Sequence, residues 1–456
     1  VSAESGFRVF GLCVLLGCSS SPAWALENPD PEKRSVSAVE YWRERGMEDA
    51  RHVNEAVLRE RLAHAVQVAL QRSARIKAAR ADTEVAEAEL DEAKGRRWPQ
   101  LEVSGASRAA SFGGSARSND KGFAAVQLNT SIYDWGQISN TISSREALLQ
   151  ANAHKLDGEQ ENIAFEVVGL LVERAKQQHI GVLSRAYADR MGELAEMLAK
   201  IVRVDPGRNS ELTQAKGRLL QAQAALDNAL AREKDADIAL QRLLGDTVIS
   251  LPPPSAWSLG FANARDLVAS LERHPSIQQS RAESLSAEDY ARAVRAAGRP
   301  QVNWVVGKDT GENLQGDSNP WKTSIQVTWN AFSGGSSRAA ERAALSRAEA
   351  GRQRTDDILD DLRQRIRAAD HDARTMAERA YLYQKLTLES DRIRSDFFDQ
   401  WYHLGRRTLL DVLTAETDHY GNRVSEVNNR FDSYLAIFRQ YAAAGELVAF
   451  LRSGPS

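Results

Sequence analysis

Four short stretches in which apolar and polar residues alternate fall into two pairs, one in each half of the chain. They restrict the fold more than any other feature. The pairs are residues 99–108 with 123–135, and residues 300–308 with 322–332. Over 123–135, Ala124, Val126, Leu128, Thr130 and Ile132 share one parity, and Ala125, Gln127, Asn129, Ser131 and Tyr133 the other. Over 322–332, Ile325, Val327, Trp329 and Ala331 oppose Ser324, Gln326, Thr328 and Asn330. Side chains alternate across a strand, so each stretch predicts a strand with one apolar and one polar face. The gaps at 109–122 and 309–321 are rich in Gly, Ser, Asn and Asp, as hairpin loops are. Alternating segments of about 10 residues are the signature of a transmembrane β-barrel, apolar toward lipid and polar toward the lumen. Four strands cannot close such a barrel, and an open edge in lipid leaves backbone groups unsatisfied at several kcal/mol each. The chain is therefore expected to associate: two copies supply about eight strands and three supply about twelve, and physics alone does not choose between them.

Around these strands the pattern is helical. Residues 54–97 read as a helix rich in Ala, Glu and Arg, ended by Trp98-Pro99. Residues 136–203 hold no proline and, after Gly136, only Gly158, Gly169, Gly181 and Gly192 interrupt. An uninterrupted helix there is roughly 100 Å long. Its second half carries Ile180, Leu183, Tyr187, Met191, Leu194, Leu198 and Ile201, spaced by threes and fours. A helix over 208–245 carries Leu212, Ala215, Leu219, Ala222, Leu226 and Ala229 in the same way. A long helix over 335–403 precedes another over 406–450, with Leu413, Thr417, Tyr420, Val424, Val427, Phe431, Tyr434, Phe438 and Tyr441. Such seams predict coiled-coil packing. The two halves are repeats. Without a gap, Arg72, Ile76, Arg80, Ala86, Pro99 and Gln100 correspond to Arg273, Ile277, Arg281, Ala287, Pro300 and Gln301. Gly136, Gly207 and Leu212 find partners in Gly335, Gly405 and Leu410. The expected organisation is repeat 1 over 54–245, a connector over 246–262 containing Pro252-Pro253-Pro254, repeat 2 over 263–450, and a tail over 451–456.

The charge balance, 59 Lys+Arg against 62 Asp+Glu, gives no reason to expect nucleic acid. Residues 9–17 are apolar but too short to span, and Ala23-Trp24-Ala25 follows. Residues 1–25 thus read as a secretory signal cut after Ala25, with 26–53 a polar N-terminal segment. Leu15-Leu16-Gly17-Cys18 offers a second possibility, acylation of Cys18. No enzyme signature is present: the eight histidines are scattered, and there is no H-E-x-x-H, G-x-S-x-G or phosphate loop. Ser333-Gly334-Gly335-Ser336 lacks the lysine of a phosphate cradle and corresponds to the strand-to-helix junction at Asp134-Trp135-Gly136. Asp356, Asp357, Asp360 and Asp361 read as a solvated helix face. No cofactor is expected. The rival readings, a structural coiled-coil protein or a periplasmic adaptor with a helical hairpin, give no reason for four alternating strands in duplicate.

The run from Tyr402 to Leu413 (YHLGRRTLLDVL) closely resembles the second periplasmic turn of the TolC family of outer-membrane channel-tunnels. With the doubled strands, long helices and glycine turns, the resemblance covers nearly all of the chain after residue 25. It implies an α+β membrane protein of the outer membrane: long coiled-coil helices, four transmembrane strands per chain, and a homotrimeric 12-stranded barrel above an α-helical periplasmic tunnel. It also implies a periplasmic adaptor and an inner-membrane transporter, for which an ABC type is favoured. The turns at Val204, Gly207 and Arg208 and at Leu404, Gly405 and Arg406 are the expected adaptor-docking sites, although glycine there also serves the turn itself. Tyr402, Arg407 and Asp411 occupy gating positions of the family. Glu211 is the nearest acidic substitute where Leu212 and Thr213 depart from the family pattern, and Thr414 replaces a second constriction acid. Arg407 and Asp411 are also spaced for a local ion pair. The first turn, residues 203–212, lacks the Val-Gly-Leu of multidrug channels and resembles channels that serve adhesin or RTX-type exporters. The expected function is the exit duct of type I protein secretion, with small-molecule (drug or metal) efflux second.

Overall fold

A computed structural model describes residues 55–106, 123–252, 257, 259–310 and 320–453. Residues 1–54, which hold the proposed signal, Cys18 and segment 26–53, together with 107–122, 253–256, 258, 311–319 and 454–456, lie outside the described residues. In chain order the elements are α1 (Glu55–Arg72), α2 (Ala74–Gly95), β1 (Gln100–Ala106), β2 (Phe123–Tyr133), α3 (Gln137–Val204) and α4 (Asn209–Leu244), the last two joined by a 3-10 turn. The second half holds α5 (Ala264–Ser270), α6 (Pro275–Ala297), β3 (Gln301–Asp309), β4 (Lys322–Thr328), α7 (Ser336–Tyr402), α8 (Leu409–Ala443) and α9 (Leu447–Arg452).

The four strands form one antiparallel sheet in the order β1-β2-β3-β4. Its register carries the alternation across all four strands. Leu101 faces Leu128, Val103 faces Val126, Leu128 faces Val306, and Trp304 faces Ile325. On the other face Glu102 opposes Gln127, Ser131 opposes Asn303, and Asn303 opposes Gln326. One face is thus largely apolar and the other largely polar, with Lys308 beside Val126 on the first and Val305 between Asn129 and Ser324 on the second. β4 ends at Thr328, short of the expected 332, and β2 carries an irregularity between Ser131 and Tyr133 that absorbs one residue. Trp98, Trp135, Trp321 and Trp329 flank the strand ends and are all exposed. This is the placement of an interfacial aromatic belt.

α3 and α7, of 68 and 67 residues, each span about 100 Å. The sheet enters both through the same local device. Trp135 and Gly136 have φ of 57° and 82°, and their repeat counterparts Gly334 and Gly335 have 61° and 86°. Two successive left-handed residues turn the chain from strand to helix. Glycine adopts this conformation at no steric cost, whereas Trp135 does so while its indole Nε1 donates to Pro300 O at 2.8 Å. Asp134 accepts from the Gly136 and Ile138 amides, and its counterpart Ser333 accepts from Ser337, so each long helix has a side-chain cap.

The single helix expected over 54–97 is broken. Ser73 ends α1 and caps α2 by accepting from the Ile76 amide. The repeat position in the second half is His274, which caps α6 through Nδ1 and is followed by Pro275 at the first helical position. The helix expected over 406–450 is also divided. It starts only at Leu409 and stops at Ala443, because Gly445 at φ 68° reverses the backbone before α9.

α3 pairs with α4 and α7 with α8, α6 lies between α3 and α7, and α8 also touches α3. The α6 contacts are made by small side chains. Ser144 meets Ser286 at 2.9 Å, Ser280 meets Thr355 at 2.8 Å, and Gly351 sits so near Ser284 that a Cβ would approach its Oγ to 2.7 Å. The main core lies where α1, α3, α8 and the connector meet, around Leu58, Leu62, Ile163, Leu171, Leu259, Phe431 and Phe438. A second core, nearer the turns, holds Met191, Leu194, Leu198, Leu212, Trp401 and Leu413.

Candidate functional site

Both inter-helix turns lie at the same end of the molecule, the end away from the sheet, because the second core joins residues of all four helices that enter and leave them. The turns are built differently. In the first, Asp205 Oδ1 accepts from the Gly207 amide at 3.1 Å and starts a 3-10 turn over Pro206–Arg208. Gly207 does not have a positive φ, so its turn does not depend on glycine. Val204 is almost wholly exposed, and Arg208 pairs with Glu211 at 3.2 Å. In the second, Gly405 has φ 61°, and the Arg406 amide reaches back to Gln400 O at 3.0 Å, a Schellman-like closure. Leu404 and Leu410 stand exposed beside it.

Of the expected gate residues, Tyr402 is half-exposed and stacks on Phe398 with ring centroids 5.7 Å apart. Arg407 lies over Phe397 at 4.1 Å and donates from Nε to Gln400 Oε1 at 3.2 Å. Asp411 turns toward the chain start of α8 instead. Its carboxylate accepts from the Thr408 amide (3.1 Å) and hydroxyl (2.9 Å), while its own amide donates to Thr408 Oγ1, completing a capping box. These bonds, the amide one foremost, hold the Asp411 carboxyl below the usual carboxylate range. Among the described residues no ion pair joins Arg407 to Asp411, so the local pair that their spacing allows is not formed: both partners have nearer bonds. Glu211 is likewise engaged locally, by Arg208, on the other hairpin.

Two features at this end escaped sequence reasoning. Thr408-x-x-Asp411 is a capping-box pattern and was legible as such. The aromatic platform of Phe397, Phe398 and Trp401 under Tyr402 and Arg407 follows only from helix packing. Among the described residues no group of His, Cys, Asp and Glu is placed to hold a metal ion, and no helix is long and apolar enough to cross a membrane.

The family model described as outer membrane efflux protein matches residues 65–246 and 267–446. Outer membrane efflux protein BepC of Brucella suis biovar 1 (strain 1330) is 23% identical over 406 residues, covering 87% of each chain. Among solved structures, the outer-membrane channel OprN superposes with a TM-score of 0.76 at 18% identity, over 87% of this chain and 93% of its own. The Campylobacter jejuni CmeC outer membrane channel superposes with a TM-score of 0.73 at 16% identity, over 96% and 94%.

Proposed function

The chain belongs to the outer membrane efflux protein family, a non-enzymatic group of outer-membrane channels, and on that premise we propose that it is the exit duct of a type I protein secretion system. The observation that carries the duct reading is the sheet. It has one largely apolar and one largely polar face, its outer strands β1 and β4 have no second neighbour among the described residues, and it sits at the end of two helices about 100 Å long. Three copies close twelve strands into a barrel with the polar faces inward, and the helices continue the polar conduit through the periplasm. An adaptor and an inner-membrane transporter of the ABC type complete the path. Support for protein cargo is the first turn, residues 203–212, which lacks the Val-Gly-Leu of multidrug channels and resembles channels that serve adhesin or RTX-type exporters. Efflux of small molecules is the second reading, favoured by the name of the Brucella relative.

The two readings separate in a strain lacking this channel. Protein secretion predicts that one large protein disappears from the culture medium and that drug and metal tolerance is unchanged. Loss of tolerance with an intact set of secreted proteins supports small-molecule efflux instead. For docking, exposed Val204 and Leu404, with half-buried Arg208 beside Val204, support the tip as the adaptor's seat. Leu404→Asp and Arg208→Glu are expected to abolish adaptor crosslinking and export, and intact crosslinking in both places the docking site elsewhere.

The same end is the proposed gate. Tyr402 and Arg407 are held on the Phe397–Phe398 platform, and Asp411, repeated three times about one axis, gives an acidic ring that Thr408 keeps ionised. Tyr402→Phe combined with Arg407→Ser is expected to raise single-channel conductance in planar bilayers, and Asp411→Ala to weaken block by multivalent cations. Parental conductance in the double variant places the closing contacts elsewhere along the tunnel.

A further inference from the structure

A cavity of about 170 Å³ opens between α3, α7 and α8, about 25 Å along the tunnel from the Val204 turn. Its wall holds three guanidinium groups, Arg190, Arg394 and Arg423, against two carboxylates, Asp391 and Glu416. Glu416 is 3% exposed and is already shared: Arg190 Nε donates to its Oε1 at 2.9 Å, and Arg394 lies 3.5 Å from its Oε2. Arg394 also pairs with Asp391 at 2.6 Å. After these bonds two donors remain. Arg394 Nε is buried without an acceptor, and Arg423, exposed at the cavity mouth, forms no hydrogen bond or ion pair among the described residues. Asp391 and Glu416 are paired with Arg394 and Arg190, and Glu426, one turn further along α8 from Arg423, pairs with Arg430.

The fourth polar wall is His419, whose Nδ1 meets Ser390 Oγ at 3.2 Å. Its imidazole is held below its usual range by burial first and then by Arg394 and Arg423, against the opposing charges of Asp391 and Glu416. The remaining wall is the stacked pair Tyr187 and Tyr420, whose rings are 4.4 Å apart. Their hydroxyls are already bonded to Thr417 and Ser184. The cavity thus presents one buried donor without an acceptor beside an exposed guanidinium, with three fixed positive charges on its wall against two negative ones.

We propose that this cavity binds a tetrahedral oxyanion, phosphate or sulfate, held between Arg394 and Arg423. Guanidinium forks match oxyanion geometry and form the stronger, charge-assisted class of hydrogen bond. An anion there bridges α7 to α8 against α3, at the level where the two helical hairpins meet. The site is separate from the tip, and the inference holds whether the duct carries protein or small molecules.

The test is isothermal titration of the full-length, detergent-solubilised protein with sodium phosphate, and separately with sodium sulfate, at constant ionic strength. Saturable binding with one site per chain is expected. Arg423→Gln should weaken it at least about tenfold, because one of two charged clamps is lost. Arg423 is exposed and forms no hydrogen bond or ion pair among the described residues, so this variant is expected to fold. Arg423→Lys should retain most of the affinity, and Arg392→Gln, which removes a charge from an exposed pair on the same helix α7, should leave it unchanged. Absence of saturable binding, or equal affinity in Arg423→Gln and the parent, means an adventitious ion only and overturns the proposal.

Discussion

Glu161 on α3 accepts from the backbone amides of Leu447 and Val448 and so caps α9 from another helix. Burial pushes its carboxyl up to about 7, against the lowering effect of those two amides. The folded chain therefore keeps a proton that the unfolded chain releases near the ordinary carboxylate value. The resulting stability is full below that value and is lost as pH rises through about 7. His179 acts in the opposite sense. Burial, then Arg430, lowers it to about 4, so its contribution is present above the ordinary imidazole value and is lost as pH falls toward 4. Thermal melts of the detergent-solubilised protein should show Glu161→Gln gaining on the parent between pH 5 and 7 and running parallel to it above. His179→Gln should gain on the parent as pH falls from about 6.5 to 4. A pH-independent offset in either variant contradicts the assignment.

Gly335 gives a second prediction at this scale. It stands at φ 86°, and a Cβ there meets nothing within 4 Å. Gly335→Ala should therefore cost about 1 kcal/mol, from backbone conformation alone. A loss several times larger in denaturant unfolding indicates contacts that the open surroundings do not provide.

Among the elements, α8 has the most to lose. Phe431 is fully buried between α8 and the connector, with Trp257 5.2 Å away edge-on and Tyr434 donating to Trp257 O. Phe431→Ala should cost about 3–5 kcal/mol, whereas Thr408→Ala, which removes the cap at the start of the same helix, should cost about 1 kcal/mol. Equal losses in thermal unfolding contradict this division between core and cap. The elements were legible in the sequence to very different degrees. α3, α4 and α7 declared themselves by length, absence of proline and apolar seams, and their ends fall within a residue or two of expectation. The break at Ser73 was not legible. Serine followed by alanine gives no strong stop, and only its repeat partner His274-Pro275 carries the signal. At the tip, family resemblance assigns Asp411 a gating position but does not show how its carboxylate is held. Its actual bonds come from Thr408, three residues away, and the pattern for that cap was present but unread. The cavity charges of Arg190, Arg394 and Glu416 come from three different helices, so linear spacing could not bring them together.

At the scale of the molecule, one chain is an incomplete object. Leu101, Val103, Ile325 and Val327 are each more than 60% exposed on one face of the sheet, which a single chain in water cannot tolerate and lipid covers. The account requires that three such sheets close a barrel with the opposite face around water. Native mass measurement of the detergent-solubilised protein should therefore give three chains per particle, and a monomer or dimer contradicts the barrel. The most direct measurement of the central claim is thiol labelling along the strands, in intact cells, with Cys13 and Cys18 replaced by serine. A membrane-impermeant reagent should modify Asn303→Cys and Gln326→Cys, whose side chains share the polar face. It should spare Trp304→Cys and Ile325→Cys on the apolar face. Equal labelling of the two faces would show that the sheet does not separate lipid from a water-filled lumen.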